Sequence, residues 1–305
     1  MAVATTTFKR LTAEQRQFWD DNGYLILKNA ISPSEVAALT EAVDRVDVES
    51  QRQGRAANEF LNAMNVIEKE DVFLNMIDHP NSLGVVADVI GANIHLLLSQ
   101  VLVRPPTPEP GTRWHCDGPK PYPFPYVRGG LTPLYHLKIG WFLTDVDKPD
   151  MGNFLLVPGS HVNGFPTSAE DFKTITSPRR YREVKDIDAT VPGVVQVTVN
   201  AGDAFMFHNA LWHSVSRNTS NVRRKNLYYV YAPQWTRLYD RLQPSPQLVA
   251  RSNPVRQQLL GALGGSNGGI NPGRDGAPLV ELFEQKPYEE VWEDQIEKYA
   301  KAWVG

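Results

Sequence analysis

Two rhythms of apolar and polar residues divide this chain, and they change near Ile94. Before that point apolar residues recur every three or four positions, which predicts a helical N-terminal layer. Thr12 and Gln15 form a capping-box signature ahead of a helix carrying Phe18 and Trp19, and Asn22-Gly23 stops it. Tyr24-Leu25-Ile26-Leu27 predicts a short strand. Ser32, Pro33 and Glu35 then open a second helix, with Ile31 placed to staple against Val36 and with Leu39, Val43 and Val46 continuing the apolar stripe. Beyond Arg52-Gln53-Gly54-Arg55 the pattern is read as a further helical region through Met76-Ile77, closed by His79-Pro80. A short helix from Leu83 to Ile90 follows and ends at Gly91.

After Ile94 the period falls to two and the segments become short and turn-bounded, which predicts strands. Tyr135, Leu137, Ile139, Trp141 and Leu143 alternate with His136, Lys138, Gly140, Phe142 and Thr144, so the odd positions share one face. Further strands are expected at Ile94 to Val103, Arg113 to Asp117, Asn153 to Val157, Val194 to Val199, Ala204 to His208, Trp212 to Ser216 and Asn226 to Ala232. Turns at Pro158-Gly159-Ser160 and Ala201-Gly202-Asp203 separate several of them. About eight such strands close into a barrel or jelly roll, which removes exposed edges. Two regions leave this rhythm. Pro119 to Tyr126 alternates proline with Tyr122, Phe124 and Tyr126 and could wall a pocket, and the tail from Pro233 predicts helices around Val255 to Leu263 and Tyr288 to Trp303. The glycine-rich turn at Gly264 to Gly269 lacks the ending of a phosphate loop and follows a helix, not a strand.

At 305 residues the chain suits one elaborated domain, with a helical layer at 10–92, a β core at 93–235 and an extension at 236–305. A hydrophobic fraction of 42% and a net charge of −3 give no bias toward nucleic acid or membrane, and no stretch is apolar enough to span a bilayer. Cys116 is the only cysteine, and Met1 to Thr7 lacks the apolar run of a signal peptide, so a cytoplasmic location is expected. Nothing in the pattern conflicts with a homodimer.

The candidate chemistry lies in the β region. His115 and Asp117, two residues apart in an extended segment, point the same way and can grip one metal while Cys116 faces the opposite side. His213 supplies a second imidazole, with His208 as its competitor. Two histidines and a carboxylate on one face of ferrous iron leave three positions for a cosubstrate and dioxygen. The bland alternative for His115 and Asp117 is a buried ion pair. His79, His95 and His136 are read as ordinary core or surface residues, His161 as closing the Pro158-Gly159-Ser160 turn, Trp114 and Trp212 as barrel filling, and Lys138 as solvated and pointing away from the barrel interior.

Four motifs in order carry a resemblance. Leu11-Thr12-Ala13-Glu14-Gln15 leads to Asn22-Gly23-Tyr24-Leu25-Ile26-Leu27, His115-Cys116-Asp117 follows, then Asp145-Val146-Asp147 through Met151-Gly152-Asn153 to Pro158-Gly159-Ser160-His161, and last His213, Asn218, Ser220 and Arg224. Over roughly residues 10 to 235 the chain resembles the phytanoyl-CoA dioxygenase-like branch of the Fe(II) and 2-oxoglutarate-dependent oxygenases. That resemblance implies a double-stranded β-helix, or cupin-like jelly roll, behind an N-terminal helical layer. It also implies Fe(II) held by His115, Asp117 and His213, with 2-oxoglutarate and dioxygen as cosubstrates. Spacing to Asn218 and Arg224 favours His213 over His208. Arg224, eleven residues past His213, is expected to hold the distal carboxylate of 2-oxoglutarate through paired hydrogen bonds, with Arg223 facing away. Trp141, eleven residues before Gly152, and Gln100 are expected to contact the cosubstrate. One departure stands at Val215, where relatives often carry a serine two residues after the distal histidine, while Ser214 and Ser216 flank it here.

The expected reaction is oxidation of an unactivated C–H bond, with 2-oxoglutarate decarboxylated to succinate. Retention of Asp117 favours hydroxylation over halogenation, while desaturation, epimerisation, cyclisation and endoperoxide formation start from the same hydrogen abstraction. The aromatic segment around Tyr122, Phe124 and Tyr126 suggests a small, mostly hydrophobic substrate. A CoA thioester is not implied, because no basic patch for its phosphates stands out. A zinc hydrolase or lyase could use the same three ligands but has no need of Arg224, and intact ligands argue against a catalytically silent barrel.

Overall fold

The computed structural model describes residues 7–117, 134–164, 171, 173–174, 176–177, 191–236, 244–262 and 277–283. The expectations for Pro119 to Tyr126, for the glycine-rich turn and for Tyr288 to Trp303 lie outside those residues.

Local signals at the N-terminus act as their chemistry requires. Helix α1, Ala13–Asn22, begins with a complete capping box in which Thr12 Oγ1 accepts from the Gln15 N–H and Gln15 Oε1 accepts from the Thr12 N–H. Gly23 ends it in the left-handed region at φ 76°, which lets the chain turn into strand β1, Tyr24–Leu27. The box of Ser32 and Glu35 opens α2, Pro33–Arg52, whose Leu39, Ala42 and Val43 are fully buried. The region after Arg55 differs from its expected helix. Leu61–Met64 is a strand, β2, paired antiparallel to residues 100–103, and only Asp71–Leu74, α3, is α-helical before Leu83–Ile90, α4. Leu, Ala and Met have high helix propensity, and the free backbone edge beside them overrides it.

The remaining strands are β3 (Ile94–Arg104), β4 (Thr112–His115), β5 (Leu137–Phe142), β6 (Phe154–Leu156), β7 (Val195–Gln196), β8 (Ala204–His208), β9 (His213–Val215) and β10 (Arg224–Pro233). A one-turn helix, α5, Ser160–Asn163, follows β6. The tail adds α6 (Pro246–Ala250), α7 (Pro254–Leu259) and α8 (Pro278–Leu282). The strands form two antiparallel sheets, one in the order β1-β8-β5-β10-β3-β2 and one in the order β4-β9-β6-β7. Phe142, Phe205 and Phe207 of the larger sheet pack with Phe154 and Leu156 of the smaller one, so the two sheets face each other. Among the described residues they share no ladder, and the jelly roll is a sandwich, not a closed barrel.

The central strands of the larger sheet, β3, β5, β8 and β10, are largely buried on both faces, and this decides what each residue can do. Leu137, Ile139, Trp141, Val101, Val103, Leu227 and Tyr229 join α2 and α4 in the main core. The alternate positions of the same strands face the smaller sheet and the cavity described next. Among the described residues no helix is long and apolar enough to cross a membrane.

Candidate metal centre and cosubstrate pocket

His115 ends β4 and His213 begins β9, and the two are direct cross-strand partners with ring centroids 4.2 Å apart. Asp117 lies just past the end of β4 and still turns back to the same point. Its Oδ1 is 3.8 Å from His115 Nε2 and 3.9 Å from His213 Nε2, and the three ligand atoms all fall within 4.8 Å of one another. Each imidazole is fixed from behind. His115 Nδ1 lies 2.8 Å from the Arg113 carbonyl and His213 Nδ1 lies 2.8 Å from that of Leu211. A carbonyl can only accept, so Nδ1 carries the proton and the Nε2 lone pair faces the other ligands. The ring of Phe154 stacks on His213 at 4.8 Å and 13°.

Electrostatics keep this set in its metal-binding form. Burial pushes His213 down to about 3 and lowers His115 as well, so both imidazoles are neutral at ordinary pH. For Asp117 burial, the largest single influence, would raise the carboxyl, but the Lys138 ammonium and its hydrogen bond, together with the two imidazoles, outweigh it and hold the group well below the usual carboxylate range. Lys138 is therefore not the solvated residue its place in the pattern suggested. Its Nζ lies 2.6 Å from Asp117 Oδ2, inside the cavity.

That cavity, about 190 Å³, runs from the histidines to Arg224. Arg224 is 2% exposed and donates through Nη1 to the Gly152 carbonyl, while its Nε has no partner among the described residues. Arg223 faces away, as expected, and pairs with Asp47. Gln100 also lines the cavity and donates to Asn62 Oδ1 at 3.2 Å. Val215 lines it too, and the flanking serines are committed elsewhere: Ser214 Oγ donates to the Thr112 carbonyl and Ser216 Oγ accepts from the Asn153 N–H.

Trp141 does not join this group. It projects from the opposite face of β5 into the main core, with its ring edge-on to Tyr229 at 5.4 Å, so the expected cosubstrate contact has no support in its position. His208 does not compete for the metal, since its Nδ1 accepts from the Ala210 N–H and its ring packs toward Trp19 and His161. His161 sits over Gly23, with Nδ1 unpartnered among the described residues, and its ring hydrogen-bonds the Asp20 backbone instead of the Pro158-Gly159-Ser160 turn. Cys116 donates to the Ala210 carbonyl.

Three residues were missed besides Lys138. Tyr228 and Arg104 line the cavity, and Asn226, fully buried on the same face, has neither side-chain atom partnered among the described residues. Counting by two from Arg224 and from Gln100 reaches all three, so the alternation held the signal.

The donors fit a divalent iron: neutral imidazoles and an ionised carboxylate converge on one side of a point whose other side opens into the cavity. A two-histidine, one-carboxylate centre between facing antiparallel sheets, with a buried guanidinium across the cavity, defines a metal-dependent oxygenase of the jelly-roll class. Residues 19–226 match the family model described as Phytanoyl-CoA dioxygenase (PhyH), and the chain belongs to that family. It is accordingly an enzyme, an oxidoreductase of the dioxygenase type that uses iron, 2-oxoglutarate and dioxygen. The ectoine dioxygenase of Nocardia farcinica is 22% identical over 241 residues, covering 74% of this chain and 79% of its own. The peroxisomal phytanoyl-CoA dioxygenase of Rattus norvegicus is 22% identical over 231 residues, covering 70% and 66%. Among solved structures, HygX from Streptomyces hygroscopicus with nickel and 2-oxoglutarate bound superposes with a TM-score of 0.62 at 21% identity. It covers 79% of this chain and 94% of its own.

Proposed function

We propose that this single-domain chain hydroxylates an unactivated C–H bond of a small, mostly hydrophobic molecule in the cytoplasm, with His115, Asp117 and His213 as the iron ligands. Arg224 holds the distal carboxylate of 2-oxoglutarate. The observation that carries this reading is the pairing of a preoriented ligand triad with a buried, partly unpartnered guanidinium at the other end of one cavity. Bound iron supplies the oxidising chemistry, with dioxygen consumed and 2-oxoglutarate converted to succinate and CO2. The protein supplies position and charge. The Arg113 and Leu211 carbonyls fix the imidazole tautomers, Lys138 balances Asp117, and Arg224 awaits an anion with an unpartnered Nε. Phe207, Phe154, Leu102 and Val215 exclude water along the cavity wall and favour an apolar substrate surface. HygX has been crystallised with hygromycin B, and SnoK, a carbocyclase from nogalamycin biosynthesis, matches at a TM-score of 0.54 with 24% identity, so related folds serve different outcomes on small molecules.

The test is turnover of a panel of small apolar molecules with Fe(II), 2-oxoglutarate and oxygen. The reading expects succinate in step with a product heavier by one oxygen atom. A product lighter by two hydrogens, or isomeric with its substrate, would replace hydroxylation by desaturation or epimerisation.

A further inference from the structure

The two oxygens of Asp117 have different surroundings. Oδ1 faces both histidine Nε2 atoms, whereas Oδ2 is engaged by Lys138 Nζ at 2.6 Å. Lys138 is itself held: its side chain is 17% exposed, and Nζ lies 5.5 Å from the ring centre of Phe207 and 6.0 Å from that of Tyr228. Those rings are fixed in turn, since Tyr228 packs directly on Gly140, where any Cβ would stand 2.1 Å from the ring. A carboxylate with both oxygens available can bind a divalent cation through one or both. With one oxygen committed to an ammonium, it offers the other alone.

We propose that Lys138 is a positioning residue that keeps Asp117 a one-oxygen ligand and thereby keeps vacant the coordination position that the 2-oxo acid end of the cosubstrate needs. The inference rests on the assignment of iron and 2-oxoglutarate to this site. Without Lys138, Oδ2 is free to swing onto the metal. The metal would then lose a repelling cation and gain an oxygen, so its own affinity should hold or rise. The cosubstrate, which competes with Oδ2, should bind less well. A residue that merely supported the carboxylate would show the reverse, with metal affinity falling and cosubstrate affinity following it. The prediction is thus a split between two affinities.

The experiment uses the full chain as wild type, Lys138→Met and Lys138→Arg, loaded anaerobically with Fe(II). Infrared difference spectra, with aspartate carbon-13 labelled in the carboxyl group, report the splitting between antisymmetric and symmetric carboxylate stretches on metal binding. That splitting is wide for one-oxygen and narrow for two-oxygen coordination. The wide splitting is expected in wild type and Lys138→Arg, and the narrow one in Lys138→Met. Titration should show a 2-oxoglutarate Kd raised about 10–100-fold in Lys138→Met, with Fe(II) affinity not weakened. Narrow splitting in the wild type would overturn the proposal, as would unchanged splitting and unchanged cosubstrate Kd in Lys138→Met. Should the methionine variant fail to fold, the wild-type splitting still decides. Absence of any 2-oxoglutarate complex in the iron-loaded wild type would instead defeat the cosubstrate assignment.

Discussion

Arg104 and Arg224 stand directly opposite each other on β3 and β10, and both side chains enter the same cavity. Like charges paired across strands repel, and burial intensifies this. Both also meet Gly152: Arg224 donates to its carbonyl, and a Cβ there would lie 3.0 Å from Arg104 Cδ. The region is built to be relieved by an anion. Arg224→Met should therefore stabilise the ligand-free protein by roughly 1–4 kcal/mol by removing a buried charge. The same change should raise the 2-oxoglutarate Kd by about two orders of magnitude or more. Urea unfolding and calorimetric titration check the two halves, and loss of both stability and affinity would speak against the arrangement.

Gly140 offers a second test, because the Tyr228 ring occupies the space a side chain would need. Gly140→Ala should cost about 1–3 kcal/mol through overpacking and displace Tyr228 from the cavity wall. Adding Tyr228→Leu should restore most of the lost stability, a coupling that a double-mutant cycle measures. Strictly additive losses would show that the two residues do not share this contact.

Trp141 separates core from cavity. Its indole N–H has no partner among the described residues and its ring lies in the main core, so Trp141→Phe should lower stability by roughly 0.5–3 kcal/mol and leave 2-oxoglutarate affinity unchanged. A weakened cosubstrate complex at full stability would return Trp141 to the cavity.

Alternation along β5 separates Trp141 from Lys138 but does not say which set faces the cavity. In a sheet covered on one side only, the more apolar face marks the interior. Here both sides are covered, and the bulky set of Leu137, Ile139 and Trp141 packs under the helical layer, which leaves Lys138 and Gly140 to the site. The metal ligands did not suffer from this ambiguity, because a histidine and a carboxylate at i and i+2 point to one place whichever face it is. Capping boxes at Thr12 and Ser32 were equally legible, since they depend on contacts within four residues. β2 was not, because its pairing with β3 is long-range and its own composition favours helix.

Acid should destabilise the protein through its buried histidines. Burial drives His208 down to about 3, below its ordinary value of 6.5. The unfolded chain therefore binds the extra proton between pH 6.5 and about 3, and stability falls as pH drops through that window. His208→Gln should flatten the slope of unfolding free energy between pH 6.5 and 4.5 by up to about 1.4 kcal/mol per pH unit. An unchanged slope across that range would mean His208 is already protonated in the fold.

The most direct test of the central claim is anaerobic addition of Fe(II) and then 2-oxoglutarate, followed by visible absorption. The account predicts a weak charge-transfer band of the iron and 2-oxo acid chelate in the wild type, lost in His115→Ala and displaced to much higher cosubstrate concentration in Arg224→Met. No band in the wild type, or the same band in His115→Ala, would contradict it.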